Sequence, residues 1–350
     1  MTPTPQPPRP TALTQIADVL RPARRVLAFS HVAPDGDAIG SLLGFGWLLH
    51  EMWGRSSEVF GDFGTPPYQV CLTLADPVPA QFRFLPGVAD IVAVPPAGPW
   101  DVVVALDASD ALRLGAPFRP ATYGETPIIV LDHHVTNLQF GALNYVDIAA
   151  AATSQILVDL ADALGAAINR EAAICLLTGL LMDTLSFRTS NVNARVMSTA
   201  MRLMEAGANL AEITERAMNH KPLSAMRLWG LALSDLKLSG QVLWTHITPA
   251  MRAQVAAPEN GDGGLVGHLI NAPEAKVSAV FSEKQDGRVE IGLRARPGYD
   301  VSGVALSLGG GGHPQAAGCT VAGPLATVEA RVLPMLLAAS REICPVMTAS

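Results

Sequence analysis

Arg25-Val26-Leu27-Ala28-Phe29-Ser30-His31-Val32-Ala33-Pro34-Asp35-Gly36-Asp37-Ala38-Ile39-Gly40-Ser41 reads as an apolar strand running straight into a helix. Arg25–Ser30 is the kind of continuous apolar run that is buried on both faces of a sheet, and the pattern from Asp37 onward is helical. His31, Asp35 and Asp37 therefore crowd at the carboxyl end of a strand, where open α/β sheets place their ligands. Like charges so close repel, and a cation among them relieves the cost. Two readings stand on this run alone: a divalent-metal site, or a polar loop with an Asp-Gly turn and an Asp helix cap.

Working outward, further strands are expected at Ser57–Gly61, Asp101–Leu106 and Pro127–Leu131, with helices at Ala38–Met52 and Ala152–Leu164. In the latter, Ile156, Leu157, Leu160 and Leu164 recur at helical spacing. Strands alternating with helices imply a parallel α/β sheet. The Pro-rich stretch Thr65–Pro99 reads as irregular, and Arg170–Leu233 as helical, with Ala194–Ala206 and Leu210–Met218 its clearest parts. Beyond it the pattern changes to strands at Gln241–Ile247, Val277–Ser282 and Arg288–Arg294, with a hairpin turn at Asp286-Gly287. A helix at Val301–Leu308, a Gly run and a helix at Ala326–Ile343 follow. The expected fold is α/β: an N-terminal parallel-sheet domain plus a smaller C-terminal α+β domain, with a cleft between them. Its divisions are a disordered tail over 1–10, a first domain over 11–205, a helical linker over 206–235 and a second domain over 236–345.

Composition narrows the class. The 350 residues are 49% hydrophobic and 16% charged, a globular profile long enough for two cores. A net charge of −7 and 5% aromatics argue against a surface that coats or stacks on long nucleic acids. Cys71, Cys175, Cys319 and Cys344 lack the spacing of a zinc or redox motif and read as buried free thiols in a reducing compartment. No run has the length and apolarity of a membrane span, and the Pro-rich start lacks the apolar core of a signal peptide, so a cytoplasmic location is expected.

Polar residues accumulate where the strands end. Asp107 follows Asp101–Leu106, Asp132-His133-His134 follows Pro127–Leu131, and Asp183 closes the apolar helix before it. Strands of one parallel sheet share an edge, so His31, Asp35, Asp37, Asp107, Asp132 and His133 converge there. Asp35, Asp37, Asp107 and Asp183 carry a formal −4, which two divalent ions neutralise. Mixed carboxylate and imidazole donors suit Mn²⁺ better than Mg²⁺, and also accept Co²⁺ or Zn²⁺. Two such ions about 3.5–4 Å apart form the clamp used for in-line attack on phosphorus.

The second half adds Gly309-Gly310-Gly311-Gly312-His313, read as a loop whose N–H groups approach an anion without obstruction. Strand alternation puts Arg294 and Arg296 on one face, where their forks suit phosphate oxygens; the plainer reading is a solvated strand face.

These motifs, in this order, resemble the DHH phosphoesterase superfamily: the HVAPDGDAIGS run, then Asp132-His133-His134, then the GGGGHPQAAG element similar to its DHHA1 partner domain. The resemblance runs from about Ile16 to Ile343, and the two-domain size is similar to the NrnA-like oligoribonuclease/pAp phosphatase branch, related to RecJ. It implies one Mn²⁺ held by His31, Asp35 and Asp107, and a second by Asp37, Asp107, His133 and Asp183. Asp132 then orients a histidine, and His134 contacts the scissile phosphate and assists proton transfer to the leaving oxygen. Arg294, with the Gly309–Gly312 loop and His313, would hold the substrate. Mg²⁺ or Co²⁺ are the implied substitutes. After Asp183 the chain departs from the family, since Thr184-Leu185-Ser186 lacks the glycine expected behind the Asp-Thr pair.

The resemblance implies hydrolysis of short oligoribonucleotides from the 5′ end, with 3′-phosphatase activity on pAp. Partners are thus short RNA or DNA oligonucleotides, pAp or cyclic dinucleotides; a homodimer stays open and no membrane is involved. A cyclic di-AMP or pApA phosphodiesterase is the main alternative. A RecJ-like single-strand exonuclease is disfavoured because 350 residues leave no room for an added OB-type domain, and a pyrophosphatase because its partner domain lacks the Gly-His element. A non-catalytic nucleotide-binding protein predicts a lost ligand, whereas each implied ligand is present.

Overall fold

The computed structural model describes residues 10–54, 68–219, 221–259 and 264–342. The chain divides at residues 220 and 221 into two compact units.

The first unit is built on five parallel strands: β1 (Arg25–Phe29), β2 (Gln69–Thr73), β3 (Val102–Leu106), β4 (Ile128–Asp132) and β5 (Leu143–Val146), in the order β2-β1-β3-β4-β5. The expected strand at Ser57–Gly61 lies outside the described residues, and β2 falls instead inside the stretch read as irregular. Of the expected tail, only Pro10 is described, as the first residue of helix α1 (Pro10–Leu20). Alternate strand residues point to opposite faces. Val26, Ala28, Val104, Leu106, Ile129 and Leu131 pack against α1, α2 (Gly36–Met52), α3 (Thr153–Leu164), α4 (Arg170–Asp183) and α5 (Ala194–Glu205). Leu27, Phe29, Val103, Ala105 and Val130 meet Trp100, Leu114 and Phe118 from connecting segments. Both faces are buried, which is why the strands read as unbroken apolar runs.

The stretch 206–235, expected as a linker, serves both cores: Ile213 and Ala217 are buried in the first unit, Leu228 and Ala232 in the second. The second unit carries a six-stranded mixed sheet of β6 (Lys237–Ser239), β7 (Val242–Ile247), β8 (Val277–Glu283), β9 (Arg288–Ala295), β10 (Gly311–His313) and β11 (Ala316–Ala322), ordered β10-β11-β9-β8-β7-β6. Only β7 and β8 pair in parallel. Val304, Val328, Val332 and Leu336 cover one face of the sheet.

The Gly run is a correction. Gly311–His313 is an edge strand paired with Ala316–Gly318 rather than an open loop. Gly309 and Gly310 donate their N–H groups to Leu306 O and Ala305 O, closing the preceding helix Ser302–Ser307. A Cβ on Gly312, whose φ is +137°, would meet the Ala316 carbonyl at 2.5 Å, so close strand pairing demands glycine there. Of the arginine pair, Arg294 lies on β9, which ends at Ala295, while Arg296 follows it and its Nη2 donates to Ala272 O at 3.0 Å and Ile270 O at 3.4 Å.

Cys71, Cys175 and Cys319 are buried and free, as expected; Cys344 lies outside the described residues. Among the described residues no helix is long and apolar enough to cross a membrane.

Candidate metal centre

Because β1, β3 and β4 are neighbours, the residues following them share one edge. His31 follows β1, Asp107 follows β3, Asp132 ends β4 with His133 and His134 behind it, and Asp183 ends α4. Asp35 caps α2, accepting from the N–H groups of Asp37 and Ala38 at 3.0 Å, so the Asp-Gly turn and helix cap exist as well as the cluster.

Asp107 is the centre of the arrangement. It is buried and left-handed, with φ +57°, a conformation uncommon for a residue bearing a Cβ and typical of functional sites. Its Oδ2 lies 3.5 Å from His31 Nε2, and its Oδ1 lies 3.6 Å from His133 Nε2. His31 Nδ1 donates to Val32 O at 2.8 Å, which leaves Nε2 facing Asp107 and, at 3.7 Å, Asp35. His133 Nε2 stands 3.1 Å from Asp183 Oδ2, yet this buried nitrogen has no aligned hydrogen-bond partner. Among the described residues three groups result, His31/Asp35/Asp107, Asp37/His133/Asp183 and Asp107/Asp132/His133/His134, each with donor atoms within 4.8 Å of one another.

That donor set fits divalent cations. Ligand atoms 3.1–3.7 Å apart leave room for bonds of about 2.0–2.2 Å to a central ion. The orphaned His133 nitrogen aims at that space, and Asp107 presents one oxygen toward His31 and the other toward His133.

Protonation tells the same story. Burial depresses the His31 imidazole, but Asp107 and Asp35 outweigh it and lift its pKa to about 10. His133 is likewise raised: burial opposes, and Asp183, Asp107 and Asp37 prevail. Burial, with Asp107 and Asp183 alongside, drives Asp37 well above the carboxylate range. Burial also lifts Asp183, to about 6. At Asp107 burial is outweighed by His31, His133 and His134, which hold it low. Protons here supply the positive charge that a metal ion would replace.

Several residues that the sequence reading passed over hold these ligands. Asp37 accepts from Thr153 N at 2.6 Å on Oδ2, and from Ser154 N at 3.1 Å, Ser154 Oγ at 2.5 Å and Ser41 Oγ at 3.1 Å on Oδ1. Thr153 Oγ1 donates to Asp107 Oδ1 at 3.0 Å. Asp132, fully buried, accepts from His134 Nδ1 at 2.7 Å and from Asn137 Nδ2 at 2.6 Å, so it orients a histidine. The available signal was a Thr-Ser pair at a helix start behind small residues. In the departure after Asp183, Leu185, Ser186 and Phe187 all take positive φ, where the expected glycine would sit without strain.

Arg294, Arg296 and Gly309–His313 belong to the second unit. Arg294 pairs in register with Ser278 and Ala316, and its Nη1 donates to Leu293 O at 2.9 Å.

A two-unit α/β chain with an aspartate–histidine centre at its parallel-sheet edge defines a metal-dependent phosphoesterase class. The DHH family N-terminal domain matches residues 25–180 and the DHHA1 domain residues 254–343. A Thermus thermophilus protein named bifunctional oligoribonuclease and PAP phosphatase NrnA is 37% identical over 315 residues, covering 88% of each chain. The chain belongs to the DHH–DHHA1 phosphoesterase family. A probable manganese-dependent inorganic pyrophosphatase of Streptococcus agalactiae is 27% identical over 227 residues, covering 63% of this chain and 69% of its own. The crystal structure of an exopolyphosphatase-related protein from Bacteroides fragilis shares the fold, with a TM-score of 0.84, 22% identity, and coverage of 95% of this chain and 98% of that one.

Proposed function

We propose that this protein is a Mn²⁺-dependent hydrolase that degrades short oligoribonucleotides from the 5′ end and removes the 3′-phosphate of pAp. The observation that carries the reading is Asp107, set between two ligand groups with one oxygen toward each. The relative named oligoribonuclease and PAP phosphatase supports the substrate class, and the pyrophosphatase relative's name supports manganese.

His31, Asp35 and Asp107 would hold one ion, and Asp37, Asp107, His133 and Asp183 the second. Bound Mn²⁺ supplies the Lewis acidity that makes water a nucleophile near neutral pH and neutralises phosphoryl oxygens. His134 has its Nδ1 committed to Asp132, so Nε2 is the ring atom for the phosphate and for the proton given to the departing oxygen. Arg294 and the segment Gly309–His313 are proposed to bind substrate phosphate.

The test is incubation with 5′-phosphorylated RNA of two to five nucleotides and, separately, with pAp. Mononucleotides and inorganic phosphate should appear with Mn²⁺ and not with chelator. Absence of both products with the ion present would overturn the reading.

A further inference from the structure

We infer that Asn137 is a positioning residue of this reaction, fixing Asp132 and, through it, the ring of His134; the inference rests on the phosphoester reading above. Asn137 Nδ2 donates to Asp132 Oδ2 at 2.6 Å and to Ala108 O at 3.0 Å, so one amide bridges the turns that follow β4 and β3. The turn holding it is itself pinned. Asn137 Oδ1 accepts from Gln139 N at 2.6 Å, Asn137 N donates to His134 O at 3.1 Å, and Leu138 N donates to Ser109 O at 2.8 Å.

Asp132 is fully buried, and its other oxygen takes His133 N at 2.8 Å, His134 N at 3.3 Å and His134 Nδ1 at 2.7 Å. A carboxylate only accepts, so the 2.7 Å contact places a proton on His134 Nδ1 and assigns the working role to Nε2. With the Asn137 amide removed, Asp132 Oδ2, buried in the intact fold, loses its described donor. The carboxylate is then free to turn, and the His134 ring turns with it. None of the six implied metal ligands has a described hydrogen bond to the Asn137 side chain, and Asp132 meets them only at the His133 backbone N–H, so the ligand side chains keep their own contacts.

Departing groups separate positioning from simple support. A ribose oxygen leaves as a strong base and needs a proton, whereas p-nitrophenolate leaves without one. Asn137→Ala should therefore lower kcat on the dinucleotide pApA by about 10–100-fold, the usual scale for a residue that orients an active-site group. KM should hold, and turnover of bis(p-nitrophenyl) phosphate should stay within about twofold. Asn137→Leu, close in size, removes the donor without placing charge beside Asp132 and should give the same split should the alanine variant fold poorly. In a His134→Ala background, Asn137→Ala should add almost nothing, because groups acting as one unit are not additive. Two readouts need no turnover: Mn²⁺ affinity by calorimetry should be unchanged, and the His134 Nδ1–H signal in nitrogen-15 NMR should be lost. Parallel loss on both substrates, additive losses, or a retained Nδ1–H signal would each overturn the assignment. Wild-type cleavage of bis(p-nitrophenyl) phosphate without action on pApA or pAp would instead sink the nucleotide reading, leaving NMR to decide on Asn137.

Discussion

Thr153 donates from its hydroxyl to Asp107 Oδ1 at 3.0 Å, so the first residue of α3 steadies the carboxylate that faces both His31 and His133. The same helix start gives its Thr153 and Ser154 N–H groups to Asp37. One helix terminus thus holds two acidic ligands on neighbouring segments, where its unpaired amides and partial positive charge favour carboxylates.

Thr153→Val keeps the shape and removes the hydroxyl. Mn²⁺ affinity or turnover should fall about 10–100-fold, as for other groups behind a metal ligand. Stability should drop by roughly 0.5–1.5 kcal/mol, read by denaturant unfolding of the metal-free protein. An unchanged titration with Mn²⁺ would remove Thr153 from the site.

Asp107→Asn tests the shared ligand. An amide is neutral and a poor bridge, so both ligand groups fail together, and activity should fall by at least about a thousandfold. Circular dichroism should show the sheet intact, because the Asp107 backbone N–H, which donates to Leu131 O at 3.0 Å, is unaffected. Calorimetry that still counts two tight Mn²⁺ sites would contradict the bridging role.

The ligand edge was legible because buried parallel strands are continuous apolar runs, and the Asp or His behind each must emerge at one edge. His31, Asp107 and His133 come together for that reason alone, whereas Asp183 reaches them from the end of helix α4. Thr153 and Asn137 were not legible, since a hydroxyl or amide finds its partner only after tertiary placement. β2 lay hidden in a Pro-rich stretch, its short Gln69–Thr73 core too brief to stand out. Gly311 and Gly312 have no side chains, so no period could mark them as a strand; their pairing with Ala317 and Gly318 does. The carbonyls of Ala272 and Ile270 that meet Arg296 come from a distant segment, so alternation along β9 could not announce them.

Stability should depend on pH in opposite senses with and without metal. His31 is lifted from its ordinary 6.5 to about 10. A raised histidine contributes stability that is fully present below 6.5 and lost as pH climbs through about 10. The metal-free protein should therefore melt at lower temperature as pH rises from neutrality toward 10. Mn²⁺ must displace that proton, so its affinity and its stabilising effect should grow over the same window. Melting curves with Mn²⁺ and with chelator should diverge as pH rises; parallel curves would show that His31 is not proton-linked to the ion.

Two glycines should separate packing from chemistry. A Cβ on Gly40 of α2 would meet Cys175 O at 2.5 Å and Gly179 N at 2.9 Å, forcing α2 and α4 apart. Gly40→Ala should cost about 1–3 kcal/mol or more as overpacking. A Cβ on Gly179 would instead press onto Asp37 Oδ1 and Ser154 Oγ. Gly179→Ala should also impair Mn²⁺ binding, beyond what its loss of stability explains, because it displaces a ligand and the group that holds it. Equal effects of the two variants on Mn²⁺ affinity would refute the distinction.

Arg296 and Arg294 should behave differently although they lie two residues apart. Arg296 gives its guanidinium to Ala272 O and Ile270 O at the end of helix Leu265–Leu269, and its Nε is buried without a partner. Arg296→Ala should therefore lower the melting temperature, a loss of about 1.5–3 kcal/mol for charged hydrogen bonds, and leave KM for pAp near the wild-type value. Arg294, on β9 beside β11, is the one proposed to meet phosphate, and Arg294→Ala should raise KM with a smaller effect on melting. The comparison needs only thermal melts and initial rates on the two variants. A raised KM in Arg296→Ala with unchanged melting would reverse the assignment and return Arg296 to the phosphate site.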